Sequence, residues 1–235
     1  MTFSWKRMSA ILIKDYKDFS RNMAVSVVIF MPPLLAAFYG RIGVESLDAY
    51  YMIFNMTFAM VGAFVQSCLI AEEKEKNTLR GLMLSPANTA EILSGKSLLS
   101  FILTMVVIVV SAFLSDYYPQ NIFVITLSFI ISALFYIALG TLVGLFAKSV
   151  MEASVYVLPV IGIFTFGSFI AVFADKYPVL KAANYMPNAQ LIEIATAVET
   201  GAGFGDVLSN LVVILAWVVV FAVLTIAIYR KRMVD

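Results

Sequence analysis

The chain has 235 residues, 62% of them hydrophobic and only 13% charged, about half of the roughly 25% charged share that a water-facing domain carries. Its net charge of +1 gives no electrostatic reason to bind nucleic acid. A single cysteine, Cys68, allows no internal disulfide, and the absence of histidine removes the commonest metal ligand and excludes histidine-based hydrolases.

Residues 3–21 open with Trp5, Met8, Leu12, Tyr16 and Phe19 at helical spacing, with Lys6, Arg7, Lys14, Lys17 and Arg21 mostly around the other side. That pattern predicts a basic amphipathic helix in the membrane interface. No short apolar core with a small-residue cleavage site precedes the first apolar run, so no cleavable signal peptide is expected. Stretches free of charge then run 22–40, 49–71, 97–115, 117–147, 153–174 and 207–229. A helix needs about 20 apolar residues to cross the hydrocarbon core. Only helices and closed barrels satisfy the backbone in lipid, and these runs lack the alternation of barrel strands. The sequence therefore predicts an all-α integral membrane protein with six transmembrane helices, at about 23–40, 50–71, 97–115, 121–147, 153–174 and 207–229, in one domain over 1–235. Pro32 and Pro33 fall inside the first span, where each removes a backbone donor and favours a kink.

No ionisable residue lies inside these windows, which argues against a proton relay or a charged substrate site. Uncharged polar residues do occur there: Asn55, Thr57 and Gln66 in the second span, Thr165 and Ser168 in the fifth. Asn55, Gln66, Thr165 and Ser168 are the candidates for a transport pathway. For Gln66 an interhelical hydrogen bond is an equal alternative. Gly140 and Gly144 suit close helix packing in the fourth span. Tyr117, Tyr118, Tyr156, Phe164, Phe166 and Phe169 either line an apolar conduit or anchor the helix ends at the interfaces.

Six spans put both termini on one side. Of the 16 Lys and Arg, only Arg41, Lys176 and Lys181 fall in loops on the other side. The positive-inside rule then places both termini and the 72–96 loop in the cytoplasm. On the outer side, segment 175–206 holds a short helix over 189–200, with Asn188 as its cap and Gly201 as its stop. Its apolar stripe of Leu191, Ile192, Ala195 and Val198 is too short to span, so it is expected on or dipping into the outer leaflet.

The 72–96 loop carries two patterns. Ala90 to Ser97 reads A-x-x-x-x-G-K-S, one residue short of a phosphate-binding loop. Such a loop needs a strand before it and a soluble α/β domain around it, whereas residues 97–115 enter the membrane directly. ATP binding by this chain is not expected, and Lys96 reads as a cation snorkelling at the inner end of the third span. The second pattern is a short amphipathic helix: Thr78 precedes Leu79, Leu82 and Met83, which share one face. Pinned between two spans, it forms either a peg for a partner's groove or a solvated hairpin.

The stretch "EEKEKNTLRGLMLSP", followed by Gly95-Lys96, resembles the first cytoplasmic loop of type-2 permeases of ABC transporters through Glu73, Glu75, Thr78, Leu79, Leu82, Ser85, Pro86, Gly95 and Lys96. Asn77 stands where that family usually has glycine, and Arg80 where it often has glutamate. "YMPNAQLIEIATAV" resembles the helical hairpin those permeases place before their last span. The resemblance implies a half-transporter without catalytic, cofactor or metal sites of its own, in a bacterial-type plasma membrane. Two permease chains would form a homodimer or heterodimer among membrane lipids, and a separate ABC ATPase holding ATP and Mg would dock on each loop. The coupling helix would lie at about 76–86, docking through Thr78, Leu79, Leu82 and Met83. Glu72, Glu73 and Glu75 would face the N-terminal helix or the ATPase, or simply solvate the end of the second span. The cargo expected for a neutral, aromatic interior is amphipathic, drug-like, lipid-like or peptide, and is exported. The alternative is a membrane anchor or sensor subunit that recruits a cytoplasmic partner and transports nothing.

Overall fold

Helices account for all the regular structure among the residues that the computed structural model describes, namely 4–76, 78, 89–167 and 178–231. Helix α1 runs Trp5–Arg21. Helix α2 begins as a turn at Met23–Ser26, tightens to a 3-10 stretch at Val27–Phe30 and continues as an α-helix over Met31–Ile42. Helix α3 covers Leu47–Glu75, with a π-helical middle at Phe58–Phe64. Then come α4 (Thr89–Leu114), α5 (Ile122–Phe146), α6 (Val150–Thr165), a 3-10 stretch (Pro178–Tyr185), α7 (Pro187–Glu199) and α8 (Leu208–Lys231).

Four of these are long and apolar enough to cross a membrane: Leu47–Glu75, Glu91–Leu114, Ile122–Phe146 and Leu208–Tyr229. The first and fifth expected spans are shorter apolar helices, Val27–Ile42 and Val150–Thr165. In α2 the two prolines sit in the first turn of Met31–Ile42, directly after the 3-10 stretch, so the bonds their missing N–H groups forgo fall at that junction. The irregularity therefore falls ahead of them, in the 3-10 stretch. In α6 the helix closes at Thr165, and residues 168–174 of that expected span, with Ser168 and Phe169, lie outside the described residues.

Helix α3 is the enclosed centre. Tyr51, Phe54 and Phe58 point one way along it and meet Phe129 and Tyr136 of α5, with Phe54 and Phe129 rings 5.0 Å apart and Phe58 stacked on Tyr136 at 5.3 Å. The ladder continues through Phe135 to Phe164 of α6 and Phe221 of α8. Edge and tilted pairs of this kind add about 0.5–1.5 kcal/mol each beyond the area they bury. Helices α3 and α5 approach most closely at Gly140 and Gly144. A Cβ on Gly144 would lie 2.6 Å from the Ser67 carbonyl oxygen, so only glycine fits. The outer faces of α4 and α8 expose Val109, Phe113, Val212, Val219 and Val223, as a lipid-facing or partner-facing surface would.

Three expectations are corrected. Asn188 does not cap the short helix: Met186 precedes it, Pro187 takes the first position, and the Asn188 amide donates to the Phe164 carbonyl at 3.4 Å. Proline is preorganised for that place because its missing N–H is unused there. The apolar stripe of α7, Leu191, Ile194, Ala195 and Val198, is buried against α8, α5 and α3, while Ile192 is half-buried. Protein rather than the outer leaflet covers it. The inward stripe of α1 is also rotated: Met8, Ile11, Asp15 and Phe19 are buried, and Trp5 and Tyr16 are exposed. The cause is polar, because Asp15 has to reach a buried cation.

Candidate functional site

Residues of α1, the end of α3 and the start of α4 meet in a cluster of charges. Lys96 on α4 is wholly buried. Its ammonium donates to Asp15 Oδ1 at 3.1 Å, Asp15 Oδ2 at 3.3 Å and Glu73 Oε1 at 2.9 Å. Glu73 also accepts from Lys14 and from the Thr78 hydroxyl. Asp18 stands at the edge, 3.8 Å from Lys14 and 3.7 Å from Lys76. A second pair clamps the other end of α1: the Arg7 guanidinium donates twice to buried Glu91, at 2.9 and 2.6 Å, and the Ser4 amide donates to the same carboxylate at 2.6 Å. Burying a charge is tolerable only with such partners, since each ion desolvated alone costs several kcal/mol. Burial pushes the Asp15 carboxyl above its ordinary value, and the Lys96 ammonium offsets part of that rise.

Lys96 does not snorkel; it is the centre of the cluster. Its neighbour Gly95 makes that possible, because a Cβ there would stand 3.0 Å from Ile11 Cβ and 3.2 Å from the Met8 carbonyl oxygen. The whole A-x-x-x-x-G-K-S stretch sits on α4, and its glycine and lysine serve the seating of α1. Carboxylate oxygens of Asp15, Asp18 and Glu73 come within 4.8 Å of one another, a spacing able to hold a metal ion. The ammonium groups of Lys96 and Lys14 already supply the positive charge, so the arrangement is an ion lock.

The other charges ending α3 tie in the remaining helices. Lys74 donates to the carbonyls of Leu145, at 2.8 Å, and Ala147, capping the C-terminus of α5. Glu75 accepts the Val150 amide at 2.9 Å at the start of α6. Glu72 pairs with Lys76 one turn on, at 2.6 Å. Of the sequence candidates in the loop, Thr78 is thus joined to Glu73, while Leu79, Leu82 and Met83 lie outside the described residues.

Among the pathway candidates, Gln66 is wholly buried. Its amide donates to Thr141 Oγ1 at 2.9 Å, and the Ser100 hydroxyl donates to its oxygen at 2.7 Å, joining α3, α4 and α5. Replacing Gln66 with leucine is expected to cost about 1–2 kcal/mol, read as a lower melting temperature of the detergent-purified chain. An unchanged melt would show that the bridge contributes nothing. Asn55 and Thr165 are buried with Asn55 Oδ1 and Thr165 Oγ1 unpartnered among the described residues, on two helices that pack together. Ser168 lies outside the described residues. The aromatic candidates do not converge: Tyr117 and Phe164 are buried, while Tyr118, Tyr156 and Phe166 are exposed.

The profile of a family described as ABC-2 family transporter protein matches residues 43–227, most of the chain. The chain belongs to the ABC-2 transporter family. This ABC-2 protein is therefore a multi-pass transporter permease, from a family that forms the transmembrane, non-ATPase part of ABC transporters and works with an ABC ATPase. No curated protein matches its sequence. The match begins after α1, so the interfacial helix and its side of the ion lock lie outside the matched segment.

Proposed function

We propose that this chain is one half of the membrane channel of an ATP-driven exporter. Two permease chains, each with six spans and cytoplasmic termini in a bacterial-type plasma membrane, would enclose the route. A separate ABC ATPase would dock on each 72–96 loop and hold the ATP and Mg. The coupling helix would correspond to about residues 76–86, with Thr78, Leu79, Leu82 and Met83 as its docking face. The cargo is amphipathic, of drug-like, lipid-like or peptide chemistry, and Asn55, Thr165 and Ser168 mark the route, while Gln66 serves as the interhelical bridge. The observation that carries this reading is the ion lock at the base of that loop. Thr78 is bonded to Glu73 where the loop leaves α3, and Lys96 meets the same carboxylate on α4. A push on the loop by an ATPase would reach α1, α3 and α4 together, which suits a moving part better than a passive tether.

Leu79→Asp with Leu82→Asp is expected to abolish co-purification of the ATPase while leaving the permease folded, since two charges in an apolar docking face reduce binding by well over about tenfold. Full ATPase recovery by the folded double variant would remove the docking assignment. A wild-type complex of two permeases and two ATPases in native mass spectrometry is the expected assembly. Recovery of the chain with some other partner would favour an anchor subunit.

A further inference from the structure

The end of the bundle opposite the ion lock holds a cavity of about 500 Å³, between the end of α2, the start of α3, the α4–α5 turn and the end of α7. That volume is in the range of small-ligand sites. Its walls carry three carboxylates, Glu45, Asp116 and Glu199, and three tyrosines, Tyr50, Tyr117 and Tyr118, with no Lys or Arg among the described lining residues. The rings of Tyr50 and Tyr117 stand 5.0 Å apart. The Tyr117 hydroxyl is 3.2 Å from that of Tyr51, which holds its ring in place.

Two details set this cavity apart from an ordinary acidic surface. Glu199 is half-buried, and its Oε1 is enclosed with no hydrogen-bond partner among the described residues, which leaves an acceptor at the cavity for a positive group to meet. Its charge is felt at the wall: burial, helped by Glu199, pushes the Tyr117 hydroxyl up to about 12, against the bond to Tyr51. Asp116 has φ +54 at the end of α4, a left-handed position that glycine usually takes. The Tyr117 amide reaches back to the Ala112 carbonyl at 3.0 Å, as in a helix-terminating turn of this kind. A carboxylate is therefore placed at the cavity where glycine would fit the backbone better.

We propose that this cavity binds an organic cation of the quaternary-ammonium class. The three carboxylates line the cavity without coming together as metal ligands would. Among the described residues the one acidic trio close enough to share a metal ion is Asp15, Asp18 and Glu73, at the other end of the bundle. Dispersed negative charge together with aromatic faces suits a bulky, weakly hydrated cation, which gains from ring quadrupoles what a metal ion would need from oxygen ligands. Binding here is a property of the permease chain alone and does not depend on the transport reading.

The test is calorimetric titration of benzyltrimethylammonium into the full chain in lipid nanodiscs. Saturable binding is expected for the wild type. Asp116→Gly should melt no lower than the wild type, because it relieves the left-handed backbone, yet bind about fivefold more weakly. Adding Glu199→Gln should bring the loss to more than about tenfold. No saturable binding by the wild type, undiminished binding by Asp116→Gly, or equal affinity for the neutral tert-butyl isostere would each overturn the proposal. So would complete displacement of the probe by micromolar calcium, which would make the cavity a metal site.

Discussion

Replacing Lys96 with methionine is expected to lower the stability of the permease by about 3–5 kcal/mol, the usual consequence of removing one partner from a buried ion pair. For a chain of this size that corresponds to a melting temperature lower by on the order of 10 °C. Methionine fills most of the volume, so the loss comes from the charges left behind. Asp15 and Glu73 are almost fully buried, and Lys14, nearly half exposed, remains as the nearest compensating cation. The deficit should depend on pH with a definite sign. The folded-state affinity of Asp15 for a proton is already raised by burial from its ordinary value of 3.8, and losing Lys96 raises it further. An acid that binds its proton more tightly when folded loses stability as pH rises through that range. The variant should therefore lie closer to wild type near pH 5 than near pH 8. The release should also be local: trypsin should cut within α1, at Lys14, Lys17 or Arg21, faster than in the wild type. Neutralising the partners as well, with Asp15→Asn and Glu73→Gln, should recover most of the stability. Wild-type melting of the single variant, or a lower melt with α1 still protected from trypsin, would contradict the lock.

The same residues show how far the sequence could be read. Hydropathy found the apolar runs because lipid imposes a length and a charge limit that a window measures directly. The long helices α3, α4, α5 and α8 follow those windows closely. Where length no longer decides, packing does. Pro32 and Pro33 were visible, but their place in the first turn of a helix segment, with a 3-10 stretch ahead of it, depends on how α2 meets α4. Helix α7 reads as a peripheral stripe, and only the three helices around it show that protein covers it.

The ion lock was half legible. Glu73 stood out as an acid leaving a span, and Lys96 as a cation entering one, but nothing in either neighbourhood says that they meet. Asp15 was the missed signal. An acid on the same side of the helix as Met8 and Phe19 is out of place on an apolar stripe unless a buried cation answers it. Arg7 and Glu91 were missed for a simpler reason: they are far apart in sequence, and salt-bridge partners carry no periodicity. Gly95-Lys96 invites a nucleotide reading from its pattern, whereas its use here is steric and electrostatic. Glycine admits α1, and lysine holds it.

The second large effect expected is at Gly140. A Cβ on this residue would lie 2.8 Å from the Ala63 Cα and closer still to the Ala63 carbonyl oxygen, so backbone meets backbone and no side chain can swing away. Replacing glycine in a helix normally gains stability, by as much as about 1 kcal/mol for alanine. Overpacking a tight site costs about 1–3 kcal/mol and more when backbone has to shift, so at Gly140 the clash outweighs the propensity. With Gly140→Val the helices must part over at least a turn. That separation would also loosen the Gly144 contact with Ser67 and Ile70 and the stacking of Phe58 on Tyr136. We expect a loss of at least about 3 kcal/mol, seen as poor recovery of monodisperse protein and an early melt. Gly162 provides the control in the same molecule. It lies within α6, and a Cβ there would meet nothing within 4 Å. Gly162→Ala should therefore leave the melt unchanged or raise it, by up to about 1 kcal/mol of helix propensity. Equal tolerance of the two substitutions would mean that α3 and α5 are not in backbone contact, and the enclosed position of α3 would have to be abandoned.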